Sequence, residues 1–510
     1  MASETIPRIL GFCDQLSALQ LAPNVIAQWA NRALSLGLIL FTLSLPHSIA
    51  ATYISLSLCV VSWGVRDLSV RKFHFVRTPL DWPLACFAGL TIVSALASEA
   101  PAISLPKARA LVIFGVLYLC LTNVEQRAAK FFLGLLLASS LAGVFFSLGE
   151  KLIGRGMIVT AIHHDSPLAA TQLQIGDVIW MIDRHRVSSL TDVSHIFAQY
   201  DSVQRVEIEA IHAGDPLPVA FILTDELKAR TNPLGVNVDG RSRRFRVSGF
   251  SRHFLTYVEQ MQIFGLLIFG VFLAASPRRH VVLSILLFAL FSLTLVLTAS
   301  RAVIASYLIA LVLTSLLVAS RRIALITLMV AIGIGGLSAS VLLSTRTSSA
   351  INFGDDSSSR RIGYMKAGLR LIPQHPVLGV GMDAHKRHWH EWGFPGDYIT
   401  HTHSTPIQLA MERGLPALGC YVWLLLAMGG WLWRSYKQQQ NPLAFGALAA
   451  LLGFSISSLV NYNFGDSEVV MLLLFVAALS VSPSLSSKKR DEQPSQLPIT
   501  HPGTTDVNAQ

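Results

Sequence analysis

Twelve stretches of mainly apolar residues constrain this chain more than any other feature. A bilayer span needs about 20 such residues. The runs lie at 33–46, 48–65, 82–98, 108–122, 131–150, 260–276, 281–299, 302–319, 323–344, 417–433, 443–461 and 467–483. Of the 510 residues, 52% are hydrophobic and only 14% are charged, whereas an average soluble protein carries roughly 25% charged residues. A soluble chain could not hide that much apolar surface, so lipid is part of its solvent.

Basic residues fix the direction of threading. Arg66, Arg71, Lys72 and Arg77 separate runs two and three, and Arg127 and Lys130 separate runs four and five. Arg278 and Arg279, then Arg321 and Arg322, then Arg434 and Lys437 occupy later loops, and Lys488, Lys489 and Arg490 follow the last run. With twelve spans, all of these loops fall on one side, which the positive-inside tendency makes the cytoplasm. The net charge of +10 has the same origin, and no nucleic-acid partner is expected.

The predicted organisation follows. Residues 1–32 are a cytoplasmic segment, and no cleavable signal peptide is expected there. Spans one to five fill 33–150, six to nine fill 259–344, and ten to twelve fill 417–483. Residues 484–510, rich in Ser, Pro, Thr and Gln, read as a disordered tail. Residues 151–258 and 345–416 face the other way, into the periplasm if the membrane is a bacterial inner membrane. None of the five cysteines lies in these two segments, so neither relies on a disulfide. The fold class is an all-α polytopic membrane protein of about twelve transmembrane helices with a small inserted α+β domain.

The inserted domain occupies about 154–226. Its pattern predicts strands near 157–162, 177–182, 204–211 and 217–223 and a helix near 190–200. The stretches Ser166-Pro167-Leu168-Ala169-Ala170 and Gln174-Ile175-Gly176-Asp177-Val178-Ile179 resemble a PDZ domain of bacterial envelope proteins. Such domains bind an extended peptide as an added strand. The resemblance implies a carboxylate-cradling loop near Gly156, Met157 and Ile158, although Gly154-Arg155-Gly156-Met157-Ile158 departs from the usual glycine-hydrophobic pattern. The alternative is a spacer or a dock for a neighbouring subunit.

The second exported segment carries the chemistry. Arg301 ends an apolar run on the external side, against the charge rule, where an arginine needs a further reason. Ser358-Ser359-Arg360-Arg361-Ile362-Gly363-Tyr364-Met365 follows, then His375-Pro376-Val377-Leu378-Gly379-Val380-Gly381, then His401-Thr402-His403-Ser404-Thr405-Pro406 through Glu412-Arg413-Gly414. Residues 405–413 predict a short helix, with Ser404 or Thr405 as N-cap, Pro406 in its first turn and Gly414 past its end. His403 thus sits before a helix N-terminus, whose unpaired N–H groups favour anions and disfavour imidazolium.

This order resembles the O-antigen ligase and polymerase family of bacterial membrane glycosyltransferases. The family shows an arginine at the outer end of a span, an arginine four residues before a tryptophan (Met365 here), a His-Pro-x-x-Gly-x-Gly turn and a histidine eleven residues before a glycine. The resemblance implies a catalytic set of Arg301, Arg361 and His403. The arginines grip the diphosphate of a polyprenyl-diphosphate-linked glycan, and His403 takes the proton of the acceptor hydroxyl. Arg360, His401, Lys107 and Arg109 are further substrate-binding candidates. The acceptor is lipid A-core by default; a growing glycan or a protein hydroxyl are the alternatives, and the PDZ-like insertion raises the last.

No cofactor or metal is expected. A metal bound by His385, His388, His390, His401 and His403 lacks a familiar zinc spacing, and Mg²⁺ on Asp355 and Asp356 is redundant beside two arginines. The competing class is a non-enzymatic envelope scaffold or transporter that displays a PDZ module.

Overall fold

The computed structural model describes residues 24–482, apart from 74, 202, 213–214, 252, 276–280, 319, 346–355 and 398. The predicted tail at 484–510, the basic loop at Arg278 and Arg279, and Asp355 lie outside the described residues. Helices dominate: α1 Val25–Ser44, α2 Ile49–Ser69, α3 Asp81–Leu96, α4 Pro101–Lys107, α5 Gly115–Asn123 and α6 Gln126–Ile153 precede the inserted domain. Within the inserted domain, α7 is Leu190–Phe197 and α8 is Asp225–Lys228. After it come α9 Phe254–Ala274, α10 Val281–Leu297, α11 Arg301–Val318, α12 Arg321–Thr345, α13 Asp356–Leu371, α14 Thr405–Gln439, α15 Pro442–Ser457 and α16 Ser467–Val481.

Every predicted apolar run coincides with a helix, but the count of twelve full spans is not reproduced. Among the described residues eight helices are long and apolar enough to cross a membrane; Asp81–Leu96, Val281–Leu297, Pro442–Ser457 and Ser467–Val481 are shorter apolar helices. Local chemistry sets two of the limits. Asn441 caps α15, accepting from the Leu443 N–H at 3.1 Å, and α16 starts only after Asp466. The first helix begins at Val25, earlier than predicted, because Asn24 accepts from the Ile26 and Ala27 N–H groups. The fourth run is also longer than predicted, Pro101–Asn123. It passes through a 3-10 stretch, Ala108–Phe114, just beyond Pro106, which has no N–H to continue an α-helical ladder.

Helix ends meet in two groups. In one, Asn24 donates to Ser69 O, Asn441 donates to Ser480 O, and Gln126, Lys130, Ala275 and Gln439 line a common cavity. In the other, His47 packs edge-on to Phe250, Lys107 pairs with Asp383, and the Thr405 N–H donates to Ser458 O.

The inserted domain is a sheet of order β5-β4-β2-β1-β6, with β3 attached to β2. Its strands are β1 Met157–Ile162, β2 Val178–Ile182, β3 His185–Arg186, β4 Gln204–His212, β5 Asp215–Leu223 and β6 Val236–Asp239. Helix α7 begins in a capping box between Ser189 and Asp192. The domain has its own core, in which Met157, Val159, Ile179, Ile196, Phe197 and Val236 are buried together. A charged staple joins it to the membrane helices: the Arg155 guanidinium lies between the rings of Trp180 and Phe245 (4.5 and 4.4 Å) and pairs with Glu150 of α6.

Candidate active site

The site is built on two packed helical segments. Helix α14 is broken at Gly414 (φ 83°, ψ 168°), so 405–413 is a separate short helix ended by that glycine, as predicted. A side chain at Gly414 would strike Val377 O at 2.0 Å. The His-Pro-x-x-Gly-x-Gly turn is the strap that fills this corner. Val380 N–H donates to Met411 O, Gly381 N–H to Glu412 O, and Leu415 N–H to Pro376 O (2.9, 2.9 and 2.8 Å). Serines from the other side complete the clamp: Ser94 donates to Glu412 O, Ser98 to Val380 O and Ser104 to Met382 O.

Helix α13 carries Arg361, Tyr364 and Gly368 at i, i+3 and i+7, on one face. Gly368 lets this face approach closely, since a Cβ there would meet Thr402 Cγ2 at 2.8 Å and Ile407 Cγ2 at 2.9 Å. One turn and two turns earlier, that contact brings the Tyr364 ring against the His403 ring (centroids 5.8 Å apart, interplanar angle 26°) and Arg361 into electrostatic range of His403 and His401.

His403 is held in the left-handed region (φ 54°), uncommon for a residue with a Cβ. Its backbone N–H donates to His401 Nδ1 at 3.2 Å, which makes the neutral His401 the Nε2–H tautomer. The preceding amide, Thr402 N–H, donates to Gln408 Oε1 (2.8 Å), and Gln408 Nε2 donates to Glu412 Oε1 (2.8 Å). Glu412 also accepts the Asp383 N–H at 2.9 Å. The segment is thus held by a chain of hydrogen bonds along one face of the short helix.

Electrostatics keep the imidazoles neutral. Burial, then the charges of His401, Arg361 and His253, push the His403 ring down to about 2. Burial and the cations Lys386 and Arg361 push His401 down to about 4. The sequence reading credited the helix N-terminus, yet its first amide is already engaged: Thr405 N–H donates to Ser458 O at 2.8 Å and to Asn461 O at 3.1 Å. Anion-binding capacity at this site therefore rests more on Arg361 than on the helix end. The turn that takes up Thr405 is itself anchored to buried Glu259, which accepts from Ser457, Asn461 and Asn463.

The other predicted residues are placed as follows. Arg301 opens α11 at the same group of helix ends, where Val247 N–H donates to Leu297 O at 3.4 Å. Arg360 is exposed. Lys107 closes α4 and Arg109 follows in the 3-10 stretch of the Pro101–Asn123 run. Lys107 is bound to Asp383 (2.6 Å), which also meets Lys386 at 2.9 Å. Burial raises the Asp383 carboxyl, and these two ammoniums outweigh it and hold the group below the usual carboxylate range. Arg109 is exposed. Gly156, Met157 and Ile158 lead into β1, which pairs with β2 on one side and β6 on the other. Ile158 is thus paired on both sides.

The five histidines do not converge. His388 pairs with Glu391 and His390 approaches Asp397. Among the described residues, Asp383, His385 and Glu412 bring three donor atoms within 4.8 Å of one another. They fit a cation poorly, because Asp383 is already neutralised by two lysines. Sequence reasoning missed Tyr364, Gln408, Glu412, Asp383 and Glu259. The i, i+4 pair Gln408 and Glu412 beside a predicted N-cap was the one readable signal among them.

Residues 285–422 match the sequence model of the family described as O-Antigen ligase, and residues 138–222 match that of the PDZ domain. The chain is thus similar to the O-antigen ligase family over 285–422 and to PDZ domains over the preceding segment, 138–222. No match was found among curated proteins.

Proposed function

We propose, with the similarity to the O-antigen ligase family as the premise, that this protein transfers a glycan from a polyprenyl-diphosphate carrier to an acceptor hydroxyl at the periplasmic face of a bacterial inner membrane. The observation that carries this reading is the pairing of a neutral imidazole, His403, with the permanent cation Arg361 at the external group of helix ends. Arg361, with Arg301, binds the diphosphate and stabilises the charge that grows on it. The acceptor oxygen forms the new bond to the anomeric carbon as the bond to the diphosphate oxygen breaks. Its proton passes to His403, and the polyprenyl diphosphate departs as the anion. Attack opposite the leaving group inverts the anomeric centre. The diphospholipid carries the activation, so neither nucleotide nor metal is required.

Two features support the assignment. An apolar cavity of about 530 Å³ lies among α9, α10, α11 and α12, lined by Phe269, Phe288, Leu311 and Ile326, and it reaches Val296 near the turn before Arg301. Its chemistry suits a polyprenyl tail. Second, the anionic donor offsets the Arg361 charge that depresses His403, so donor binding raises the basicity of the imidazole toward the range useful for proton transfer. The base is armed by the substrate it serves.

Lipid A-core is the default acceptor. A protein hydroxyl is the second reading, favoured by the PDZ domain, whose connection to α9 passes through His253 beside Arg361. Mass spectrometry of lipopolysaccharide and of glycoproteins from a deletion strain decides between them. Loss of the glycan from one class names the acceptor, and unchanged glycans in both contradict the transferase.

A further inference from the structure

A second cavity, of about 320 Å³, has His401 in its wall. Lys107, Lys386, Arg413, Asp383, Glu412 and the rings of Phe87 and Phe464 line it. Arg413 is only 6% exposed. Its guanidinium lies over Phe87 (5.4 Å) and Phe464 (5.6 Å), and its Nε is buried without a hydrogen-bond partner. Among the described residues no carboxylate forms an ion pair with it. A buried guanidinium without a counter-charge is costly unless an anion joins it.

The neighbouring acids do not supply that anion. Glu412 is taken by the Asp383 amide and Gln408, and Asp383 by Lys107 and Lys386. Asp466 also lines the cavity, but burial and Glu468 push its carboxyl up to about 7. We infer that this cavity is an anion subsite, in which Arg413 receives a phosphate or carboxylate carried by the acceptor while the phenylalanine rings support the attached sugar or apolar group. The acceptor then enters past His401, and the donor diphosphate sits on the Arg361 side. The anion subsite stands on the geometry of Arg413 alone; its assignment to the acceptor rests on the transferase reading.

The test uses the full-length protein in detergent with inorganic phosphate as probe and thermal unfolding as readout. In an Arg361→Ala background, phosphate stabilises the protein saturably. Adding Arg413→Gln raises the half-saturating phosphate concentration about tenfold, as loss of a charged hydrogen-bond donor implies. Arg413→Lys, which keeps the charge, recovers part of the effect and guards against a folding defect. Equal phosphate stabilisation with and without Arg413→Gln overturns the subsite. In a transfer assay Arg413→Gln raises KM for the acceptor and leaves that for the donor unchanged; the reverse pattern overturns the acceptor assignment. If the wild type transfers nothing, the transferase reading fails while the phosphate measurement still decides the subsite.

Discussion

The His401 and His403 rings meet edge to face with centroids 4.3 Å apart, and the His403 N–H donates to His401 Nδ1. The hydrogen bond needs a bare Nδ1 on His401, so it survives only while that ring is neutral with its proton on Nε2. With Arg361 also acting on both rings, protonating either one places two cations against each other.

This coupling predicts acid sensitivity with a definite sign. His401 and His403 have folded values of about 4 and about 2, below the ordinary histidine value of about 6.5. Below that value the unfolded chain takes up protons that the folded chain refuses, so stability falls as pH falls. Thermal unfolding temperatures in detergent decrease from pH 6.5 to pH 4.5, and the His403→Gln variant has a shallower slope. An identical slope in both proteins contradicts the buried neutral imidazole.

Glu412 is predicted to matter for placement rather than for chemistry. Glu412→Ala orphans the Asp383 amide and the Gln408 side chain, at a cost of about 1–3 kcal/mol for each buried unsatisfied group. The unfolding temperature falls and transfer falls with it. Glu412→Gln, which keeps an acceptor oxygen, recovers most of both.

Much of this was legible in the sequence, and the reasons differ by element. The short helix 405–413 and its end at Gly414 were readable as a local pattern, an N-cap with proline and a closing glycine, whereas Arg361 and His403 were singled out by the family resemblance. The PDZ strands were readable from alternation and turn residues. The 3-10 stretch after Lys107 was not readable, because apolar composition does not reveal how Pro106 diverts the helix. The contacts of Tyr364, Glu259 and Asp383 join segments up to 276 residues apart, from Lys107 to Asp383, so no spacing announces them. The pairing of the Gly156–Ile158 segment was not readable, because β6, which pairs with β1, comes some eighty residues later.

Close helix approach supplies another test. Gly368→Leu inserts a side chain where even a Cβ touches Thr402 and Ile407, an overpacking typically worth about 1–3 kcal/mol. Because α13 then moves away from His403, transfer falls more than the loss of folded protein explains. A variant with normal specific activity contradicts the packing of Tyr364 on His403.

Threading is checked by cysteine labelling in a cysteine-free background. His390→Cys and Asp225→Cys, both strongly exposed, react with an impermeant maleimide in intact cells in which the outer membrane is permeabilised. Lys72→Cys reacts only after the inner membrane is opened. Labelling of Lys72→Cys from outside reverses the orientation proposed for the site.

The most direct measurement is glycan transfer by purified protein from a synthetic polyprenyl-diphosphate donor, followed by release of polyprenyl diphosphate. His403→Ala is predicted to lower kcat by about 10²–10⁴, the usual worth of a positioned general base. Arg361→Lys is also predicted to fail, because a point charge does not replace the bidentate guanidinium on a diphosphate. Wild-type turnover in a well-folded His403→Ala protein contradicts the account.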